Sequence, residues 1–256
     1  MIDNQWPSPY TNFQGYDSTL PENKNDALTR KIESFFEDKF NVNAILTPSA
    51  RAAIGLIIRY KGINRSHKVF VSKWSSHCMF NTIGAFSNPT VDFVGNPDVI
   101  LVNHKWGYPV FLKNKYENSL LLEDSVDSIF LSPKALFPNN SEFEFISLPK
   151  IIGSYSGGIV FSKDKGFTNY ARALQQENTA LGKKQSRRKS VPPSHTKDFD
   201  TWLYHESWNT SHDANSLTNI INNLCFFQDN KKIIQRRFDI VSKQYNLNIK
   251  LKNRIG

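Results

Sequence analysis

A three-layer α/β/α fold on a mainly parallel sheet, followed by a short helical C-terminal segment, is predicted by three features of the sequence. Between residues 22 and 175, short apolar runs alternate with segments of helical periodicity. The charged and hydroxyl residues close those runs instead of interrupting them, as at LLED124 and SLPK150, so they fall at strand ends. With 256 residues, 39% of them hydrophobic, the chain can bury one substantial core.

Residues 1–21, rich in Pro, Asn, Tyr and Gly, read as an extended N-terminal arm. From Pro21-Glu22 onward, Leu28, Ile32, Phe35, Phe36 and Phe40 recur at three- and four-residue spacing and predict a helix. Asn43–Thr47 comes next as a strand. Ser49–Tyr60 is a helix with Ala53, Ile54, Ile57 and Ile58 on its apolar face. Lys68–Ser72 (KVFVS) is a strand and Ser76–Phe86 a helix. Further strands are expected at Val91–Val94, Asp98–Val102, Ser119–Leu122, Phe143–Leu148 and Gly158–Phe161. Residues 22–175 thus form the predicted large domain, and 176–214 a basic loop region. Residues 215–256 form a C-terminal helical segment in which Leu217, Ile220, Leu224 and Phe227 begin an apolar face that runs to Val241. The helical pattern ends at Tyr245, and residues 246–256 are too few for another lobe.

The bulk properties exclude several classes. Cys78 and Cys225 are too few for a disulfide framework and fit a reducing cytoplasm. The N-terminus lacks the basic and apolar regions of a signal peptide, and no apolar run is long enough to cross a bilayer. The net charge of +9 is concentrated in Lys183–Lys189 and in the tail from Lys231 to Arg254. The first reads as a solvated loop or as a patch attracting an anionic substrate such as a nucleoside diphosphate. No helix-turn-helix, RNP-type or zinc-finger pattern points to nucleic acid. No His/Cys cluster has metal-ligand spacing.

Ligands of parallel sheets gather at the carboxyl ends of the strands, and Ser49, Trp74, His104, Asp124 and Lys150 all fall there. A lysine that closes an apolar run is ordinarily a solvated surface residue. Lys150, however, precedes Gly157-Gly158, where backbone can approach a ligand closely, and it shares the strand ends with Asp124. An aspartate that keeps a pyridine nitrogen protonated and a lysine that forms a Schiff base are the two groups pyridoxal phosphate (PLP) requires. Ser49 begins a helix directly after a strand. It is either a plain N-cap or the start of a phosphate site, with Arg51 adding a cation. Trp74 can stack on a planar ring or fill a core.

In this order the motifs resemble those of the DegT/StrS-type sugar aminotransferases, which have the aspartate-aminotransferase-like PLP fold. Ser49-Ala50-Arg51-Ala52-Ala53-Ile54 resembles the family's Ser-Gly-Thr-Ala-Ala-Leu at a strand-to-helix step. VFVSKWSSH at 69–77 resembles its valine-rich strand with an aromatic after it, and His104–Pro109 its His-x-x-Gly-x-Pro segment. Glu123-Asp124-Ser125-Val126-Asp127 resembles Glu-Asp-Ala-Ala-Gln, with Asp127 where the family has Gln or His near the cofactor hydroxyl. The lysine and Gly-Gly strand resemble Lys150 and Gly157-Gly158, and the likeness covers roughly residues 22–245.

The resemblance implies PLP as cofactor and Lys150 as the Schiff-base lysine and acid–base group. Asp124 would pair with the ring nitrogen, and the amides of Ala50 and Arg51 would hold the phosphate, with Ser147 close by. Trp74 or His77 would lie near the ring face. It further implies a homodimer, and amino transfer from glutamate to a keto-sugar nucleotide in polysaccharide biosynthesis. The alternative is a PLP-fold relative that works as a binding or regulatory module without turnover.

Overall fold

The computed structural model describes residues 20, 25–93, 95–104, 110–126, 129–130, 136–177, 208–229, 232 and 254–255. Nearly all of the expected N-terminal arm, most of the basic loop region and nearly all of the tail beyond Asp229 lie outside these residues, as does Asp127.

The elements arise from the local patterns. Helix α1 (Asn25–Phe40) turns Ile32, Phe36 and Phe40 to one side. Strand β1 (Asn43–Thr47) leads into α2 (Ala50–Tyr60), whose N-cap Ser49 accepts the Ala52 amide at 3.1 Å. Then come β2 (Lys68–Val71), α3 (His77–Gly84), β3 (Asn88–Thr90), β4 (Val99–Asn103), β5 (Leu120–Asp124) and β6 (Ile129–Phe130). Strand β7 (Phe143–Ser147) runs straight into a short helix, α4 (Leu148–Ile152), which Gly153 ends with φ 72°. Strand β8 (Gly158–Ser162), α5 (Lys165–Glu177), α6 (Ala214–Leu224) and β9 (Arg254–Ile255) complete the order.

The main sheet has the order β1-β8-β7-β5-β4-β2-β3. Pairs β2–β3, β2–β4, β4–β5 and β5–β7 are parallel, while β8 runs antiparallel to both β7 and β1. A mainly parallel sheet covered on both sides is therefore present, as expected. Helices α2, α3 and α5 cover one face through Ile54, Ile57, Met79, Ile83 and Phe167, packed on Leu101, Leu122, Phe143, Phe145 and Val160. Helices α1 and α6 cover the other through Ile32, Phe36, Leu217 and Ile220, packed on Leu46, Ile146, Ile159 and Phe161.

Edge strand β1 does not offer bare backbone. Glu33 Oε1 accepts the Leu46 amide at 2.9 Å, Glu37 Oε1 accepts that of Ala44 at 3.4 Å, and Gln175 Nε2 donates to the Leu46 carbonyl at 2.8 Å. Side chains from α1 and α5 thus occupy the groups through which another strand could add.

Two expectations are corrected. The strand predicted at Val91–Val94 lies at Asn88–Thr90, in register with Lys68–Phe70, and Val91 and Phe93 are exposed beyond it. An edge strand tolerates Pro89, so the apolar run after it was a misleading signal. The predicted strand Phe143–Leu148 stops at Ser147, because Leu148 already begins α4. Strands β6 and β9 form a separate antiparallel pair, Ile129 with Ile255 and Phe130 with Arg254, which periodicity did not foretell.

Candidate cofactor site

Three strand ends meet beside the start of α2. Thr47 of β1, Gly158 of β8 and Ser147 of β7 form one row across the sheet, and Phe145 of β7, Asp124 of β5 and Asn103 of β4 form a second row, two residues back along β7. Side chains alternate faces along a strand, so Ser147, Asp124 and Asn103 project on the face that α2 covers. Asp124 is 1% exposed, with Oδ1 accepting the Val126 amide at 3.1 Å and Oδ2 accepting Asn103 Nδ2 at 2.8 Å.

The lysine turn packs Leu148, Ile151 and Ile152 on the α1/α6 face and is tied by backbone to the residue before α2. The Gly157 carbonyl accepts the Leu148 amide at 3.1 Å, and the Gly157 amide donates to the Pro48 carbonyl at 2.8 Å. One residue therefore links the turn carrying Lys150 to the residue preceding the α2 N-cap. Gly157 has φ 104°, and a Cβ there would stand 2.8 Å from Leu148 Cδ1 and 2.9 Å from Ile220 Cδ1. On Gly158 a Cβ would meet the Ala50 nitrogen and the Ser49 carbonyl carbon, each at 2.8 Å. Only glycine lets the helix start rest directly on the sheet. Lys150 sits half-buried in α4.

Because the first intrahelical acceptance in α2 is by the Ser49 carbonyl from Ala53, the Ala50 and Arg51 amides belong to the positively polarised end of the helix. Ser147 is the N-cap of α4, and its hydroxyl makes no cap bond. Ser156, 2% exposed on the strap between Lys150 and the glycine pair, has a hydroxyl with no hydrogen-bond partner among the described residues. A helix N-terminus for a phosphate, a carboxylate for a pyridinium, an amine, and an orphaned buried hydroxyl fit the chemistry of PLP.

The remaining sequence candidates lie apart. Trp74 and His77 come after β2, two strands from β5 and so about 10 Å across the sheet. Trp74 is 71% exposed, with Lys73 Nζ 5.2 Å from its ring. His77 is an exposed first residue of α3. His104 turns to the opposite face, where Nε2 meets buried Glu123 and Nδ1 accepts the Val110 amide at 2.9 Å. Asn139 gives Glu123 two further bonds, from its backbone at 2.8 Å and from Nδ2 at 3.0 Å. Burial alone would raise the Glu123 carboxyl, but His104 and Asn139 outweigh it and hold it below the usual range. The neighbouring Glu123 and Asp124 therefore do separate work: Glu123 pins the loops behind the sheet, while Asp124 faces the α2 side. Sequence reasoning missed Asn103, whose signal was a polar residue closing the apolar run VILV.

A family model described as "Putative PLP-dependent aminotransferase" matches residues 32–254. No curated protein matches the sequence. Among solved structures, a DegT DnrJ EryC1 StrS aminotransferase from Brucella abortus is 16% identical with a TM-score of 0.53, covering 87% of this chain and 69% of that one. DesI, solved in the presence of its TDP-sugar product, is 14% identical with a TM-score of 0.53, covering 79% and 54%. 3-Amino-5-hydroxybenzoic acid synthase is 15% identical with a TM-score of 0.55, covering 84% and 60%. At these identities the likeness is one of fold. The chain spans little more than half the length of DesI.

Proposed function

The chain belongs to the PLP-dependent aminotransferase family whose model spans it, and from that premise we propose that it transfers an amino group to a keto-sugar nucleotide. The observation that carries this reading is the Gly157 link, which ties the Lys150 turn to the start of α2 on the face bearing Asp124.

Bound PLP supplies an electron-withdrawing ring that takes up charge from the bond broken at the donor's α-carbon. The chain's residues do the rest. Lys150 would hold the cofactor through Nζ and, once displaced by the donor amine, its free amine would carry the proton lost from the donor's α-carbon. Asp124 keeps a proton on the ring nitrogen. The Ala50 and Arg51 amides hold the phosphate, with the Ser147 hydroxyl beside them.

The sugar-nucleotide acceptor is supported by two observations. DesI was solved with a TDP-sugar product, and the net charge of +9 favours an anionic substrate. The synthase of similar fold is named for an aromatic product, so fold does not choose the acceptor. Glutamate as donor, a homodimer, and a role in polysaccharide biosynthesis in the cytoplasm complete the proposal. No helix among the described residues is long and apolar enough to cross a membrane.

Purified protein mixed with PLP is expected to gain visible absorbance that borohydride fixes covalently, with the modified peptide containing Lys150. Lys150→Ala is expected to abolish the covalent product. Wild-type protein that acquires no PLP absorbance sinks the reading. The acceptor is tested by glutamate-dependent amination of nucleoside-diphosphate keto-sugars.

A further inference from the structure

We propose that Asn103 is a positioning residue for Asp124, orienting its carboxylate and preserving its charge for the cofactor's ring nitrogen. The inference rests on the PLP reading above and extends it to the adjacent strand.

Asn103 closes β4 as the in-register neighbour of Asp124 on β5, so both side chains leave the sheet on the same face. The two carboxylate oxygens are held by different donors, Asn103 Nδ2 on Oδ2 and the Val126 amide on Oδ1. The group is therefore held at both oxygens, which sets its plane. An ionised carboxylate only accepts, so the nitrogen end of the Asn103 amide must face it and the orientation of Asn103 is determined.

A neutral donor here has a particular consequence. It favours the ionised carboxylate without cancelling its charge, leaving that charge to attract a pyridinium. One residue away the arrangement differs: on the opposite face Glu123 meets the imidazole of His104. A cation in place of Asn103 would compete with the ring nitrogen. A second carboxylate there would share a proton with Asp124 and raise the apparent pKa of the pair.

Asn103→Leu and Asn103→Asp test this through the PLP dissociation constant, measured by absorbance titration across pH alongside wild type. Loss of one hydrogen bond to a charged group predicts about tenfold weaker PLP binding by Asn103→Leu at every pH. Asn103→Asp is expected to bind worse still near about pH 8. It should recover relative to wild type toward about pH 5, as one carboxyl of the pair takes up a proton and donates it to the other. A merely structural asparagine would show no such recovery. Asn103→Asp is nearly isosteric and carries the test if Asn103→Leu does not fold. PLP affinity equal in all three proteins, or an Asn103→Asp deficit unchanged with pH, overturns the inference while the functional reading stands. Wild-type protein that binds no PLP overturns both.

Discussion

Gly158 lies so close to Ala50 that a Cβ on the glycine would stand 2.8 Å from the Ala50 nitrogen. The atoms it would strike are backbone at the start of α2, which cannot rotate aside as a side chain can. Gly158→Ala is therefore expected to push the helix start off the sheet, costing about 1–3 kcal/mol. Chemical denaturation should show the loss of stability. PLP titration should show a larger relative loss of affinity than an equally destabilising substitution in α1, because the displaced amides are those assigned to the phosphate.

Breaking the buried His104–Glu123 contact should be costly. His104→Ala leaves a carboxylate with 0% exposed surface without its imidazole partner, and about 3–5 kcal/mol is expected. The pH dependence has a defined sign. The folded Glu123 carboxyl is held below its unfolded value, so its contribution is full above the unfolded value, about 4.3. That contribution is lost as pH falls through the folded value. Urea midpoints between about pH 5 and pH 2 should fall less steeply in Glu123→Gln than in wild type.

Glu33 should behave in the opposite sense. Burial raises its carboxyl above the ordinary range, against the opposing effects of Arg172, the Leu46 amide and Arg30. Its contribution to stability is thus fully present below the unfolded value and declines as pH rises through the folded one. Glu33→Gln should flatten stability over that acidic-to-neutral window. Glu33→Ala should cost about 1–3 kcal/mol, because the Leu46 amide on the edge strand loses its acceptor. If Glu33→Gln retains the wild-type pH profile, the assignment of that slope to Glu33 is wrong.

Much of the framework was legible because it depends on short-range periodicity. Alternation and apolar runs located β1, β2, β4, β5, β7 and β8 to within a residue or two, and the three- and four-residue spacing located α1 and α2. The run at Val91–Val94 misled because apolar character does not report pairing; β2 selects Asn88–Thr90 through its register. The strand-end position of Asp124 was legible for the same local reason, whereas Lys150, expected at a strand end, lies within α4 because the chain turns into a helix straight after Ser147. Asn103 was not legible: an asparagine closing an apolar run gains meaning only from the neighbouring strand.

By itself, then, the sequence determined the succession of strands and helices and the placing of polar groups at strand ends, since both depend on contacts a few residues apart. Only the tertiary structure decided the rest. Strand order set Asn103 beside Asp124, and the antiparallel β8 brought Gly158 against Ala50. Packing on the two faces sent Asp124 toward α2 and Glu123 toward His104. These relations join residues far apart in the chain. They arise from non-local pairing and from which sheet face each helix buries, neither of which is encoded in any single window of residues.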